Sequence, residues 1–272
     1  MTKVFVNLED IQDTQNARFI DTRFDLADAT LGKKLFAEGH IAGAVYWDLE
    51  QDLSDMDSKS GRHPMISKEK MTSLVQQSGL QPEDTIYIYD QGGSPFALRD
   101  YFLLEWAGFE HIFVLREGYE EIKKVFPTTT EITAYAPSTV IPKWKDGLIV
   151  DVAAVEEVVA GNKKAQLIDA RAAKRFRGEF EPIDSIAGHI PTAINYDWEQ
   201  LKKESRFADS EEIKEKLADL TSKDIPVIAY CGSGVTAAPL YASLKEAGYP
   251  EVKIYVGSYS DWIREHEVET EL

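Results

Sequence analysis

Short apolar runs, each bounded by turn or charged residues, alternate along the chain with longer stretches of helical periodicity. Val227-Ile228-Ala229-Tyr230 and Val252 to Val256 have the length and bulk of buried parallel strands. Phe19-Ile20, Ile86-Tyr87-Ile88-Tyr89, Val114-Leu115 and Leu167-Ile168 share that character. Between them, Lys68 to Gln77, Phe96 to Ala107 and Glu211 to Leu220 read as helices. A further helix is predicted from Thr236 through Leu240, Tyr241, Leu244 and Ala247, with Gly248 placed to end it. Strand and helix in alternation predict an α/β architecture, a parallel sheet covered by helices on both faces.

The pattern runs twice. Phe19-Ile20-Asp21-Thr22-Arg23 returns as Leu167-Ile168-Asp169-Ala170-Arg171, and Gly39-His40-Ile41 returns as Gly188-His189-Ile190. Asp84 to Asp90 returns as Asp224 to Cys231, and Val114 to Tyr119 as Ile254 to Tyr259. The copies keep one order while their spacing shrinks slowly, which predicts a tandem duplication. Each copy has about 125 residues, an ordinary domain size. The expected division is a first domain over 1–126, a connector over 127–142 and a second domain over 143–272. Pro127, Pro137, Pro142 and the run Thr128-Thr129-Thr130 oppose helix, so the connector should be extended.

The duplication serves as an internal control. Features that both copies keep, such as the Asp-x-Arg pairs and the Gly-His-Ile segments, read as structural. A feature that one copy keeps reads as functional. Cys231, the one cysteine of the chain, has no copy. Its counterpart is Asp90, and the loop Gln91-Gly92-Gly93-Ser94-Pro95 carries no nucleophile. The first domain is therefore expected to be non-catalytic and the second catalytic.

Cys231 falls at the carboxyl end of a predicted strand, where open α/β sheets place their chemistry. Gly232 and Gly234 let successive backbone N–H groups turn inward as an anion nest, and the following helix adds the positive end of its dipole. Both favour a thiolate over a buried, inert thiol. Other readings of the loop fare worse. Gly232-Ser233-Gly234-Val235-Thr236-Ala237 matches the dinucleotide fingerprint, but the next strand leads into Gly257-Ser258 and not into an acidic residue for a ribose. A cysteine phosphatase or arsenate reductase loop would need an arginine where Ala237 stands. A serine hydrolase elbow would need a glycine two residues before Ser233, where Cys231 stands.

Composition narrows the partners. The formal net charge of −17 argues against nucleic acid and anionic membranes. An anionic substrate must then be drawn by a local cationic pocket. No apolar run approaches the ~20 residues that cross a bilayer, and residues 1–7 form no apolar leader core. A single cysteine allows no internal disulfide and suits a reducing cytoplasm. The histidines at 40, 63, 111, 189 and 266 show no metal-ligand spacing, and no cofactor is called for.

Taken together, these residues resemble the two-domain rhodanese-like sulfurtransferases. The paired Asp-x-Arg and Gly-His-Ile blocks carry the resemblance, as do Gly61-Arg62-His63-Pro64, Asp90 facing Cys231, and Gly257 to Trp262. The loop Cys231-Gly232-Ser233-Gly234-Val235-Thr236 is similar to that of 3-mercaptopyruvate sulfurtransferases, whereas thiosulfate-type relatives usually carry a cationic pair there. The resemblance implies sulfane sulfur moving from 3-mercaptopyruvate or thiosulfate, through a Cys231 persulfide, to cyanide, a small thiol or a thioredoxin-like protein. It implies that Gly232, Gly234, Val235 and Thr236 cradle the outer sulfur. Lys174-Arg175-Phe176-Arg177-Gly178 is similar to the family's donor-binding segment, which places Arg175, and with it Arg177, on the donor's anionic group. Arg175 is the one fixed cation this assigns beside the loop. Ile183 stands after Glu181-Pro182 where mercaptopyruvate enzymes often have another arginine. A relay of a first-domain histidine and the loop serine maps onto His40 and Ser233, while the copy of His40 at His189 favours a structural role. A persulfide carrier with little turnover of small donors is the alternative function.

Overall fold

The computed structural model describes residues 2–11 and 17–272; Met1, where the predicted first domain begins, lies outside them. Two five-stranded sheets form its frame. The first runs Phe5–Val6, Ile112–Leu115, Thr85–Tyr89, Ala17–Asp21, Val45–Tyr46, every pairing parallel. The second runs Ile149–Val150, Val252–Tyr255, Val227–Tyr230, Gln166–Asp169, Ile194–Asn195, again parallel throughout. The two orders are the same, strand for strand. The strand that leads into Asp90 and the strand that leads into Cys231 are both central.

Strand alternation assigns each sheet its two covers. In the first half Ile20, Ile86 and Ile88 face helices Lys68–Gln77 and Phe96–Trp106, while Phe19, Tyr87 and Tyr89 face Leu31–Glu38 and Tyr119–Ile122. In the second half Ile168, Val227 and Ala229 face Ser210–Leu217 and Ala237–Glu246, while Leu167, Ile228 and Tyr230 face Val152–Val159 and Ser258–Trp262. Lys68–Gln77 spans the predicted residues because the Ser67 hydroxyl accepts from the Lys70 N–H at 3.2 Å. The helix predicted over Glu211 to Leu220 instead spans Ser210–Leu217. Asp209 fixes that start by accepting from the Glu212 N–H at 2.9 Å.

The residues kept by both copies build the same structure twice. Arg23 grips Asp21 and Arg171 grips Asp169, each through Nε at 3.0 Å and Nη2 at 2.6 Å to Oδ2. Each guanidinium also donates to a glycine carbonyl at 2.7 Å and lies 3.8 Å over a tyrosine ring. Such a bidentate, stacked arrangement suits arginine and no other cation.

One core runs through both halves. Helices Phe96–Trp106 and Ala237–Glu246, which follow the two loops, are buried almost all round and pack on each other. Phe102 meets Tyr241 edge-on at 5.1 Å, and the Tyr241 hydroxyl donates to Glu105 at 2.8 Å. Segment 127–142 contains no helix and lies along the first half. There Thr128–Thr129 pairs antiparallel with His40–Ile41, and the Tyr135 ring stacks 3.6 Å under Arg18.

Candidate active site

Val227–Tyr230 delivers Cys231 to the carboxyl edge of the second sheet, where it is 1% exposed. The chain then turns sharply. Gly234, at φ +78°, passes so close to Val256 that a Cβ there would collide with its carbonyl oxygen. This turn brings the Gly234 N–H to 3.1 Å from Cys231 Sγ, where it donates. The N–H groups of Ser233, Val235 and Thr236 meet no protein acceptor among the described residues. Helix Ala237–Glu246 begins directly behind them. A sulfur with one amide donor, three unused amides and a helix start is a receptor for negative charge.

The backbone of Cys231 is itself pinned. Its N–H donates to Ser258 Oγ at 3.1 Å, and its carbonyl accepts from the Tyr259 N–H at 2.9 Å. Ser258 holds a left-handed φ of +55°, costly by ~1–2 kcal/mol for a residue with a Cβ. The cost keeps a hydroxyl beside the cysteine, at 4.0 Å from Sγ. Val235 turns its side chain away from the loop and into an apolar cluster with Phe24, Leu49 and Phe96 of the first half. Only its amide is available to a ligand. The side chain of Thr236 makes no cap bond to the helix.

The first half supplies three side chains that sequence reasoning did not place here. His63 Nδ1 lies 2.8 Å from Ser233 Oγ, and its Nε2 faces Glu50 at 3.9 Å. Burial, together with the nearby Arg99 and Arg62 guanidiniums, pushes the His63 pKa down to about 4, so the ring is neutral at physiological pH. Arg99 is fully buried and donates from Nη1 to the Gly234 carbonyl at 3.3 Å, behind the residue whose N–H holds Sγ. Burial lowers it to about 10 against the opposing pull of Cys231 and Asp100, which leaves it a cation at neutral pH. Arg62 crosses to the second half with its N–H on Ser260 Oγ at 3.2 Å. The signal for Arg62 and His63 was present in Gly61-Arg62-His63-Pro64, which the resemblance marked without a role; Arg99, inside helix Phe96–Trp106, carried none.

Two guanidiniums cover the loop. A Cβ at Gly232 would collide with Arg62 Nη2 and would lie 3.6 Å from Arg175 Nη2. Arg175 is held by Glu181 at 2.8 and 2.9 Å and by Asp184 at 3.0 Å. Arg62 pairs with the same Asp184. Burial pushes the Asp184 carboxyl above its ordinary range, and Arg62 and Arg175 oppose it.

Two expected site residues lie elsewhere. His40 Nδ1 is 2.8 Å from the Phe36 carbonyl, and its ring stacks on Phe36 at 3.7 Å. His189 repeats both contacts with Phe176 at the same distances. The structure does not bring His40 to Ser233; His63 holds that position, because the turn at Gly61 folds its segment over the second half. Arg177 is turned outward and pairs with Glu179 at 2.6 Å. Arg175 is therefore not the one cation beside the loop, since Arg62 and Arg99 join it. Ile183 is 60% exposed.

Among the described residues no cluster of three or more His, Cys, Asp or Glu could hold a metal ion, and no helix is long and apolar enough to cross a membrane. The rhodanese-like domain model matches twice, over residues 6–125 and 153–265. A probable 3-mercaptopyruvate sulfurtransferase of Pseudomonas aeruginosa is 36% identical over 90% of this chain and 88% of its own length. A putative thiosulfate sulfurtransferase, SseB, of Mycobacterium tuberculosis is 30% identical over 93% and 89%. The crystal structure of SseA from Escherichia coli, described as a 3-mercaptopyruvate sulfotransferase with the rhodanese fold, superposes with a TM-score of 0.80. It is 29% identical and covers 95% of this chain and all of that one. With both halves matched and relatives of this similarity along nearly its whole length, the chain belongs to the rhodanese-like family, as a member with two copies of the domain.

Proposed function

We propose that the protein is a sulfurtransferase that takes sulfane sulfur from 3-mercaptopyruvate or thiosulfate onto Cys231 and passes it to a thiophilic acceptor. One observation carries the reading: a lone cysteine whose sulfur already takes the Gly234 N–H, with three further loop amides unused and cations on two sides. Thiolate Cys231 attacks the transferable sulfur of the donor, the thiol sulfur of mercaptopyruvate or the outer sulfur of thiosulfate. With mercaptopyruvate the carbon–sulfur bond breaks and its electron pair leaves on carbon. That carbon takes the proton of the transferred thiol, giving pyruvate and an anionic persulfide. With thiosulfate the sulfur–sulfur bond breaks and sulfite leaves with the pair. The amides of Ser233, Val235 and Thr236 are suited to hold the outer sulfur as an oxyanion hole holds oxygen.

Arg175 is the group for the donor's carboxylate or sulfonate, whose two oxygens match a guanidinium edge. The neutral imidazole of His63 orients Ser233, and the serine hydroxyl can hand a hydrogen bond to donor or product. Acceptor attack on the persulfide restores the thiolate, in a ping-pong cycle without metal or cofactor. Cyanide, a small thiol or a thioredoxin-like protein would serve as acceptor, and a reducing compartment such as the cytoplasm would keep the lone thiol free. Mercaptopyruvate is the favoured donor, since the charges around Arg175 are nearly balanced and suit a monoanion.

Steady-state assays with each donor and cyanide as acceptor test this, together with the intact mass after donor alone. Turnover and one added sulfur atom are expected. A stable added sulfur without turnover would make the protein a carrier, and neither would remove the proposal.

A further inference from the structure

The Arg62–Asp184–Arg175 bridge spans the two halves directly above the loop, with a carboxylate at its centre. Asp184 accepts from Arg175 at 3.0 Å and pairs with Arg62, and its side chain is 4% exposed. Both guanidiniums reach the space above Gly232, one residue from the sulfur. Outside the bridge lies a cleft of about 340 Å³ whose walls include Lys59, Ser260 and Arg264. Arg62 and Asp184 of the bridge themselves line that cleft.

We propose that Arg62 and Arg175 form a single interdomain anion clamp, and that Asp184 is its resident counter-anion, which selects a monoanionic donor over a dianionic one. The inference rests on the sulfur-transfer reading and adds a specificity residue and a second donor cation to it. The charges decide the direction. Arg62, Arg171 and Arg175 stand against Asp169, Glu181 and Asp184, so the cluster is neutral as a whole. A carboxylate that enters can share the two guanidiniums with Asp184 or replace it with little change in local charge. A dianion brings a second negative charge to within a few ångströms of Asp184 and is repelled. Removing the Asp184 charge should therefore favour thiosulfate more than mercaptopyruvate. Removing Arg62 should weaken both, because each then has one guanidinium that is already shared with Glu181.

The test has a binding arm and a kinetic arm. Mercaptopyruvate and thiosulfate are titrated calorimetrically into Cys231→Ser protein, which cannot form the persulfide, alone and with Asp184→Asn, Arg62→Gln or Arg62→Lys added. Asp184→Asn should shift the affinity ratio toward thiosulfate by roughly tenfold or more, the scale of one unit charge at short range. Arg62→Gln should weaken both ligands roughly 10- to 100-fold, as loss of a charge-assisted hydrogen bond does, with part recovered in Arg62→Lys. The same shifts should appear in kcat/KM for each donor in the enzyme that keeps Cys231. An unchanged donor ratio in Asp184→Asn overturns the inference, as does Arg62→Gln binding both donors like the parent. Melting curves identify a variant that fails to fold, and the nearly isosteric Asp184→Asn decides the selectivity claim without Arg62→Gln. If the parent enzyme transfers no sulfur from either donor, the functional reading falls, and the binding arm still decides the clamp.

Discussion

The loop after Thr85–Tyr89 and the loop after Val227–Tyr230 leave equivalent central positions of the two sheets, enter equivalent buried helices, and differ in what fills the turn. Asp90 accepts from the Gly92 N–H at 2.7 Å and the Ala97 N–H at 3.1 Å, and the Ser94 N–H also faces it. Its own carboxylate satisfies the nest, while burial pushes its pKa up to about 6. Cys231 accepts from the Gly234 N–H and leaves the next amides open. The surroundings diverge in the same sense. Ser205 of the second half crowds the first loop so closely that a Cβ at Gly93 would collide with its carbonyl, whereas Arg62, His63 and Arg99 converge on the second. Where Gly118 precedes Tyr119, Ser258 precedes Tyr259 and accepts the strained φ to place its hydroxyl. An anion nest is thus a property of the backbone path. Whether it is a site depends on whether the first residue closes it with a charge or leaves room for one.

The comparison is broken most severely at the cysteine. Cys231→Ser should reduce sulfur transfer to background while the melting temperature stays near that of the parent, because a hydroxyl fits the space but cannot form a persulfide. Asp90→Cys added to that variant should not restore transfer, since the Ser205 carbonyl crowds the first loop, whereas Arg62 and Arg175 cover the second. Donor turnover in the double variant would show that the two loops are interchangeable. The next largest effect is expected at Arg175. Arg175→Ala should cost about 1.5–3 kcal/mol in kcat/KM for the donor half-reaction. Wild-type kinetics in that variant would detach the donor from this side of the loop.

The remaining predictions sharpen the contrast through stability. His63 is pushed down to about 4 in the folded protein, so the unfolded chain binds more protons between that value and its ordinary ~6.5. Its contribution is complete above about pH 6.5 and is lost as the pH falls toward 4, for a total of about 2–4 kcal/mol. Denaturant unfolding at pH 7 and pH 4.5 should show a smaller drop in His63→Gln than in the parent; equal drops would mean the ring is not buried neutral. The smallest effect on turnover belongs to Asp90→Ala. It should keep activity within a few-fold while losing about 1–3 kcal/mol of stability, because the Gly92 and Ala97 amides lose their acceptor. A loss of activity like that of Cys231→Ser would mean that the first loop acts in catalysis.

What could be read from the sequence was whatever short-range pattern encodes. The apolar run Val227–Tyr230, the Gly248 helix stop and the duplicated Asp-x-Arg pairs each involve residues a few positions apart, and each appears where the pattern put it. The duplication also identified Cys231 as the odd member, and the Gly-x-Gly spacing announced the turn that brings an N–H to its sulfur. The partners of that sulfur across the interface were not legible. His63 and Ser233 are 170 residues apart, and Arg99 and Gly234 are 135 apart. No periodicity relates such positions, and resemblance alone sent the relay to His40, which sits in a pocket that the second half duplicates around His189. Arg175 and Arg177 look alike in sequence, yet the short helix Ala173–Phe176 ends between them and turns one toward Gly232 and the other toward solvent. Local sequence determined the loop and its nucleophile. Which charges surround them was decided only when helices Phe96–Trp106 and Ala237–Glu246 buried their apolar surfaces against each other and brought the first half over the second.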